Sequence, residues 1–190
     1  MSLVPYDYPF VFAPVKGGNL KEKTSKLCEW ASFWLKFKSL CGKQGAVVFD
    51  IDDTLVDGKE NNIIPVVKVY RLALALGFLC YIVTARPESP SNRRYTREML
   101  SKNGIANYQE LYMMPSKLTP TFQSISLYKF KMRTDISKQH EILCNIGDMW
   151  TDHLKYPCKF DELQNRDVSE GAIFFFPATY FPCIKLPGSE

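Results

Sequence analysis

The stretch VVFDIDDTLVDG, residues 47–58, runs apolar residues into four aspartates, Asp50, Asp52, Asp53 and Asp57. Carboxylates at that density repel one another unless something positive shares their site. The chemistry they imply is that of a divalent cation or a phosphorylated group. Two further apolar runs end in polar groups, one in Thr84-Ala85-Arg86 and one in Gly147-Asp148-Met149-Trp150-Thr151-Asp152. Singly, a strand-end Asp is commonly a helix cap or an Asx turn, Thr84 a core-edge hydroxyl, and Lys129 or Lys131 a solvated charge. At consecutive sheet positions in this order, they form a constellation.

Holding such ends together requires a sheet, and the chain alternates accordingly. GAVVFDI reads as a β-branched strand, IPVVKVYRLALALG as a helix with Pro65 in its first turn and Gly77 at its end, and FLCYIVTA as a second strand. A helix from about Ser91 to Asn103 stops at Gly104, and ELYMM follows as a short strand. After a Pro/Ser/Thr loop over 115–124, SLYKFKMRTDISKQH reads as helix, EILCNIG as strand and AIFFF as a last strand. Strands apolar on both faces, alternating with helices, predict an α/β fold with a parallel sheet of about five strands covered on both sides. In such open sheets ligands bind beyond the carboxyl ends of the strands, where the strand order reverses. The polar ends of the first, second and fourth predicted strands lie there.

Ahead of this core, NLKEKTSKLCEWASFWLKFKSLCG places Leu27, Trp30, Ala31, Trp34, Phe37 and Cys41 at helical spacing, with Asn19 as a cap and Gly42 as a stop. Its aromatic face is expected to pack on the main sheet. A chain of 190 residues, 46% hydrophobic, suffices for one globular domain with embellishments. The net charge of +4 comes without a long Lys/Arg block, so no nucleic-acid partner is indicated. Six cysteines include no CxxC pair and no zinc-like spacing, which predicts free thiols and a reducing, cytoplasmic compartment. No stretch reaches the roughly 18 apolar residues of a membrane span.

Asp50-Ile51-Asp52-Asp53-Thr54, Thr84, Lys129 and Gly147-Asp148 through Asp152 resemble the haloacid dehalogenase (HAD) superfamily of phosphohydrolases. Its signature is DxDx[TV], a strand-end Ser/Thr, a Lys and a GDxxxD-type acidic motif. YKFKMR, CNIGDMWTDH and IKLPG are most similar to the acid phosphatase branch that includes plant vegetative storage proteins. The resemblance covers roughly residues 45–187. It implies a HAD-like Rossmannoid three-layer sandwich with strand order 3-2-1-4-5, residues 45–190 forming the phosphatase domain and 1–44 an extension packed on it.

It also implies a magnesium-dependent phosphomonoester hydrolase. Asp50 is then the nucleophile that forms an aspartyl-phosphate, and Asp52 the general acid and base. Mg2+ is held by the Asp50 side chain, the Asp52 backbone carbonyl, Asp148 and Asp152, while Lys129 and Thr84 bind phosphoryl oxygens. Arg86 is assigned to the substrate side. Lys129 is preferred to Lys131 because Tyr-Lys nineteen residues ahead of Asp148 fits the branch, and a residue two positions round a helix faces elsewhere. Lys138 is a third choice.

Only 33 residues separate Asp50 from Thr84 and 44 separate Thr84 from Lys129, which leaves no room for a large cap domain. An open site suits a small phosphomonoester or an exposed macromolecular phosphate. Two alternatives share the fold: phosphate transfer to an acceptor other than water, and a non-catalytic storage or scaffold role, which Asp50 argues against. A phospho-receiver domain has its acidic pair and its phospho-acceptor on different strands, which is not the order here.

Overall fold

A capping box opens the first helix: the Asn19 side chain accepts from the Glu22 amide, and the Glu22 carboxylate accepts from the Asn19 amide. Thr121 and Ser124 form a second capping box, and Ser89 caps a helix by accepting from the Asn92 amide alone. The computed structural model describes residues 10–15, 17–153, 171–175 and 182–187. In order these form β1 (Phe10–Val15), α1 (Leu20–Leu40), β2 (Ala46–Phe49), α2 (Ile64–Ala75), β3 (Leu79–Glu88) and α3 (Pro90–Lys102). There follow β4 (Glu110–Pro115), α4 (Phe122–Ser137), β5 (Ile142–Gly147), a 3-10 turn (Trp150–Asp152), β6 (Gly171–Phe175) and β7 (Pro182–Lys185).

One sheet of order β1-β6-β7-β5-β2-β3-β4 carries all seven strands. Alternate residues of β2 enter opposite cores: Val47 and Phe49 join Leu27, Tyr70 and Leu100 from α1, α2 and α3, whereas Ala46 and Val48 join Tyr128 and Ile136 from α4. Three layers result, with α1–α3 on one face and α4 on the other.

The predicted order is kept for four strands, β4-β3-β2-β5, and corrected at the fifth. AIFFF, here β6, was expected beside β5. That place belongs to β7, which pairs with β5 in parallel through Asn145↔Cys183 and Gly147↔Lys185. β6 lies one position further out, antiparallel to β7, and β1 closes that edge antiparallel to β6. A four-residue strand with Pro182 at its start and Lys185 at its end gives almost no periodic signal, while the longer apolar β6 run gives a strong one.

α1 packs on the sheet through most of its predicted face. Its buried stripe is Thr24, Leu27, Cys28, Ala31 and Leu35, with Trp30 and Trp34 half-buried and stacked on each other. Both tryptophans pack against the core that holds Leu27 and Ala31, and Trp34 Nε1 donates to the Leu143 carbonyl of β5 at 2.8 Å, so the expected face meets the sheet; only Phe37 and Cys41, toward the helix end, are exposed. The five cysteines within the described residues are free, and Cys158 lies outside them. Among the described residues no helix is long and apolar enough to cross a membrane.

The strand order reverses between β2 and β5. β2 continues through β3 and β4 on one side, and the chain returns over α4 to place β5 on the other. The Asp50 amide donates to the Ile146 carbonyl at 3.0 Å, which fixes the ends of both strands against each other.

Candidate active site

Three carboxylates converge at that reversal. Asp50 follows β2 directly, Asp148 follows β5, and Asp152 comes back over the same end on the 3-10 turn. One carboxylate oxygen from each lies within 4.8 Å of the others, and all three side chains are buried. Gly147 makes the approach feasible, because a Cβ at that position would overlap the Asp152 side chain. Gly147→Ala should therefore displace Asp152, costing about 1–3 kcal/mol in thermal unfolding and at least tenfold in turnover. A variant that melts and turns over like the native chain would contradict this packing.

α4 supplies the opposing charge. Lys129 Nζ lies 2.8 Å from Asp50 Oδ1 and makes a hydrogen-bonded ion pair with Asp152 Oδ1. The Asp50 contact is a close ion pair rather than an aligned hydrogen bond, since Oδ1 has no hydrogen-bond donor in good geometry. Asp152 Oδ2 accepts from the Met149 amide at 2.8 Å, and Thr54 Oγ1 donates to Asp148 Oδ1 at 3.3 Å. Lys131, by contrast, is exposed and pairs with Asp135, as does Lys138.

Burial dominates the electrostatics. It pushes Asp50 well above the usual carboxylate range, with Asp152 and Asp148 adding to the rise and Lys129 opposing it. Burial, then repulsion from Asp152, pushes Asp148 up to about 7. Burial also acts upward on Asp152, but Lys129 outweighs it with help from His153 and the Met149 amide, holding this carboxyl below its ordinary value. Burial works against charge on Lys129 too, yet Asp152 and Asp50 together raise its affinity for a proton above that of an ordinary lysine. Two of the three acids thus resist ionisation as they stand, the condition that an added cation relieves.

All the donors are carboxylate oxygens, the hard set that Mg2+ and similar ions take, so the residues fit a divalent metal. Side chains of Asp50, Asp148 and Asp152 would hold it. The Asp52 carboxylate is not in this cluster. It is 56% exposed and clasped by Arg86, with Nη2 to Oδ1 at 2.7 Å and Nε to Oδ2 at 3.0 Å. Thr84 is fully buried, and its hydroxyl accepts from the Arg86 amide at 3.2 Å. Glu88 and Arg93 form a pair at 2.6 Å, with Arg93 Nη1 also donating to the Leu111 carbonyl, a brace between β4 and α3.

Several residues at the site escaped sequence reasoning. Arg133, one turn beyond Lys129, is buried, and Lys185 ends β7 with no exposed surface. His153 sits between Asn145 Nδ2 at 2.9 Å and the Gly147 carbonyl at 3.3 Å, and burial pushes its imidazole down to about 3. A lysine inside an apolar strand and a histidine directly after GDxxxD were the available signals. Because the unfolded chain takes up a His153 proton near 6.5 and the native chain only near 3, stability is full above 6.5 and falls as pH drops through that window. The loss reaches about 2 kcal/mol at pH 5. His153→Gln should flatten this dependence in thermal melts between pH 5 and 7; an unchanged slope would contradict a buried neutral imidazole.

A family model described as HAD superfamily, subfamily IIIB (Acid phosphatase) matches residues 55–181. The match begins just after Asp50–Thr54 and takes in Thr84, Arg86, Lys129, Asp148 and Asp152. No curated protein matches the chain significantly.

Proposed function

The chain belongs to subfamily IIIB of the HAD superfamily, the acid phosphatases, which hydrolyse phosphoric monoesters, and from that premise we propose a divalent-metal-assisted phosphomonoesterase working through an aspartyl-phosphate on Asp50. The observation that carries it is the buried convergence of Asp50, Asp148 and Asp152 with Lys129 between Asp50 and Asp152. Mg2+ is the metal proposed, with the Asp52 backbone carbonyl joining the three side chains. When bound it supplies positive charge to the phosphoryl oxygens and keeps the acids ionised.

Asp50 attacks phosphorus, forming one P–O bond as the bond to the leaving oxygen breaks. Its carboxylate is held near the end of a buried strand, so little reorganisation accompanies the attack. Lys129 neutralises charge that builds on the phosphoryl group, and the Thr84 hydroxyl is free to donate to a phosphoryl oxygen while it accepts from the Arg86 amide. Asp52 gives a proton to the leaving oxygen. It then takes one from the water that attacks the acyl phosphate, which releases inorganic phosphate and returns Asp50 to a carboxylate. Arg86 holds the exposed Asp52 carboxylate through a two-pronged ion pair, which fixes the proposed acid and base in place. The substrate is a small phosphomonoester or an exposed phosphate on a larger molecule.

Hydrolysis of an aryl phosphate should disappear in chelator and return with Mg2+; full activity in chelator would remove the metal from this reading. Asp52→Asn separates the two steps. An aryl phosphate, whose phenolate leaves with little protonation, should still give a burst of product and then stall. An alkyl phosphate should give no burst. Rapid-mixing kinetics showing equal losses of burst and steady-state rates on both substrates would sink the acid/base role.

A further inference from the structure

Six charged side chains are buried among the described residues, and they balance: Asp50, Asp148 and Asp152 against Lys129, Arg133 and Lys185. The proposed chemistry uses the acids and Lys129. Lys185 is the most deeply buried of the cations, with no exposed surface, and an ammonium is not taken out of water without compensation. Its place is set by strand pairing. Lys185 lies in register with Gly147, the residue before Asp148, and the Leu186 amide donates to the Gly147 carbonyl at 2.8 Å. The ammonium donates to the Leu186 carbonyl at 2.6 Å and lies 5.8 Å from the centroid of the Trp150 ring, which opens the turn ending in Asp152. Burial works against charge on Lys185, while Asp148 and Asp152 both support it.

We propose that Lys185 is a positioning residue of the phosphoryl site: its charge offsets the Asp148 and Asp152 carboxylates, limits how tightly they hold a divalent cation, and so leaves that cation's charge available to a phosphoryl dianion. With a divalent cation bound and the three acids ionised, the six buried side chains sum to zero and the cation leaves them a net 2+ that a phosphate dianion neutralises. Without Lys185 the site is one charge more negative at every stage. Cation binding then tightens and dianion binding weakens, each by on the order of a hundredfold for one charge about 10 Å from a doubly charged ion at an effective dielectric near 20.

This inference rests on the metal-assisted reading, and the test keeps the two apart. Mg2+ is titrated calorimetrically into the native chain, Lys185→Gln and Lys185→Arg at pH 8 without substrate, and inorganic phosphate is measured as an inhibitor of each. Lys185→Gln should bind Mg2+ on the order of a hundredfold more tightly and phosphate on the order of a hundredfold more weakly, with Lys185→Arg restoring both toward native values. Unchanged or weaker Mg2+ binding by a folded Lys185→Gln would overturn the proposal. Absence of any Mg2+ binding by the native chain would overturn the metal reading and the proposal with it. Should Lys185→Gln fail to fold, the double variant Asp148→Asn/Lys185→Gln must fold in chelator, because it removes a carboxylate together with its ammonium. A double variant that is also unfolded would make Lys185 a packing residue and end the proposal.

Discussion

Asp50→Asn should lower turnover of an aryl phosphate by on the order of 10⁴-fold or more while leaving the chain folded. The substitution preserves shape and removes only the nucleophilic oxygen's charge. Asp50 is buried and its carboxyl is pushed well above the ordinary range, chiefly by burial. A neutral amide there relieves the cost of a buried charge and leaves Lys129 its second partner, Asp152. The thermal midpoint in chelator should therefore change little. That contrast between activity and stability distinguishes a nucleophile from a structural aspartate. Turnover within tenfold of native would remove the nucleophile assignment.

The second large effect concerns the lysine. Lys129→Ala should reduce turnover by about a hundredfold or more, because a preorganised charge next to the phosphoryl group is lost. It should also destabilise the metal-free protein by about 3–5 kcal/mol, since Asp50 and Asp152 would remain buried without the cation between them. Added Mg2+ should recover part of that loss. Lys131 is 68% exposed and engages only Asp135, and such surface pairs contribute about 0–1 kcal/mol. Lys131→Ala should behave as native in melting and in turnover. If Lys131→Ala were the inactive variant, the register of α4 assigned to the site would be wrong.

How far the sequence foretold this arrangement depends on the residue. The four strands around the reversal were legible because each is an apolar run bounded by Gly, Pro or a polar cluster, and runs of that kind pair inside a covered sheet. The neighbour of β5 was not legible. Its partner is distant in sequence, and β7 offers four residues of which one is proline and one lysine.

The acids show the same division. Spacing placed Asp50, Asp148 and Asp152 at strand ends, but their approach to within 4.8 Å requires β2 and β5 to be neighbours and Gly147 to make room. Helical geometry let only one of Lys129 and Lys131 face the site, and the family resemblance singled out Lys129. The Arg86 clasp on Asp52 joins residues 34 apart in sequence through side chains alone, and no local pattern announces such a pair.

Covalent capture on Asp50 tests the central claim most directly. The native chain is mixed rapidly with Mg2+ and an aryl phosphate, quenched in acid, and analysed by peptide mass spectrometry. A single phosphoryl group on the peptide carrying Asp50, formed within the burst and absent in Asp50→Asn, is the predicted result. A burst with the phosphoryl group on any other residue, or with no adduct on the quenched chain, would contradict the account.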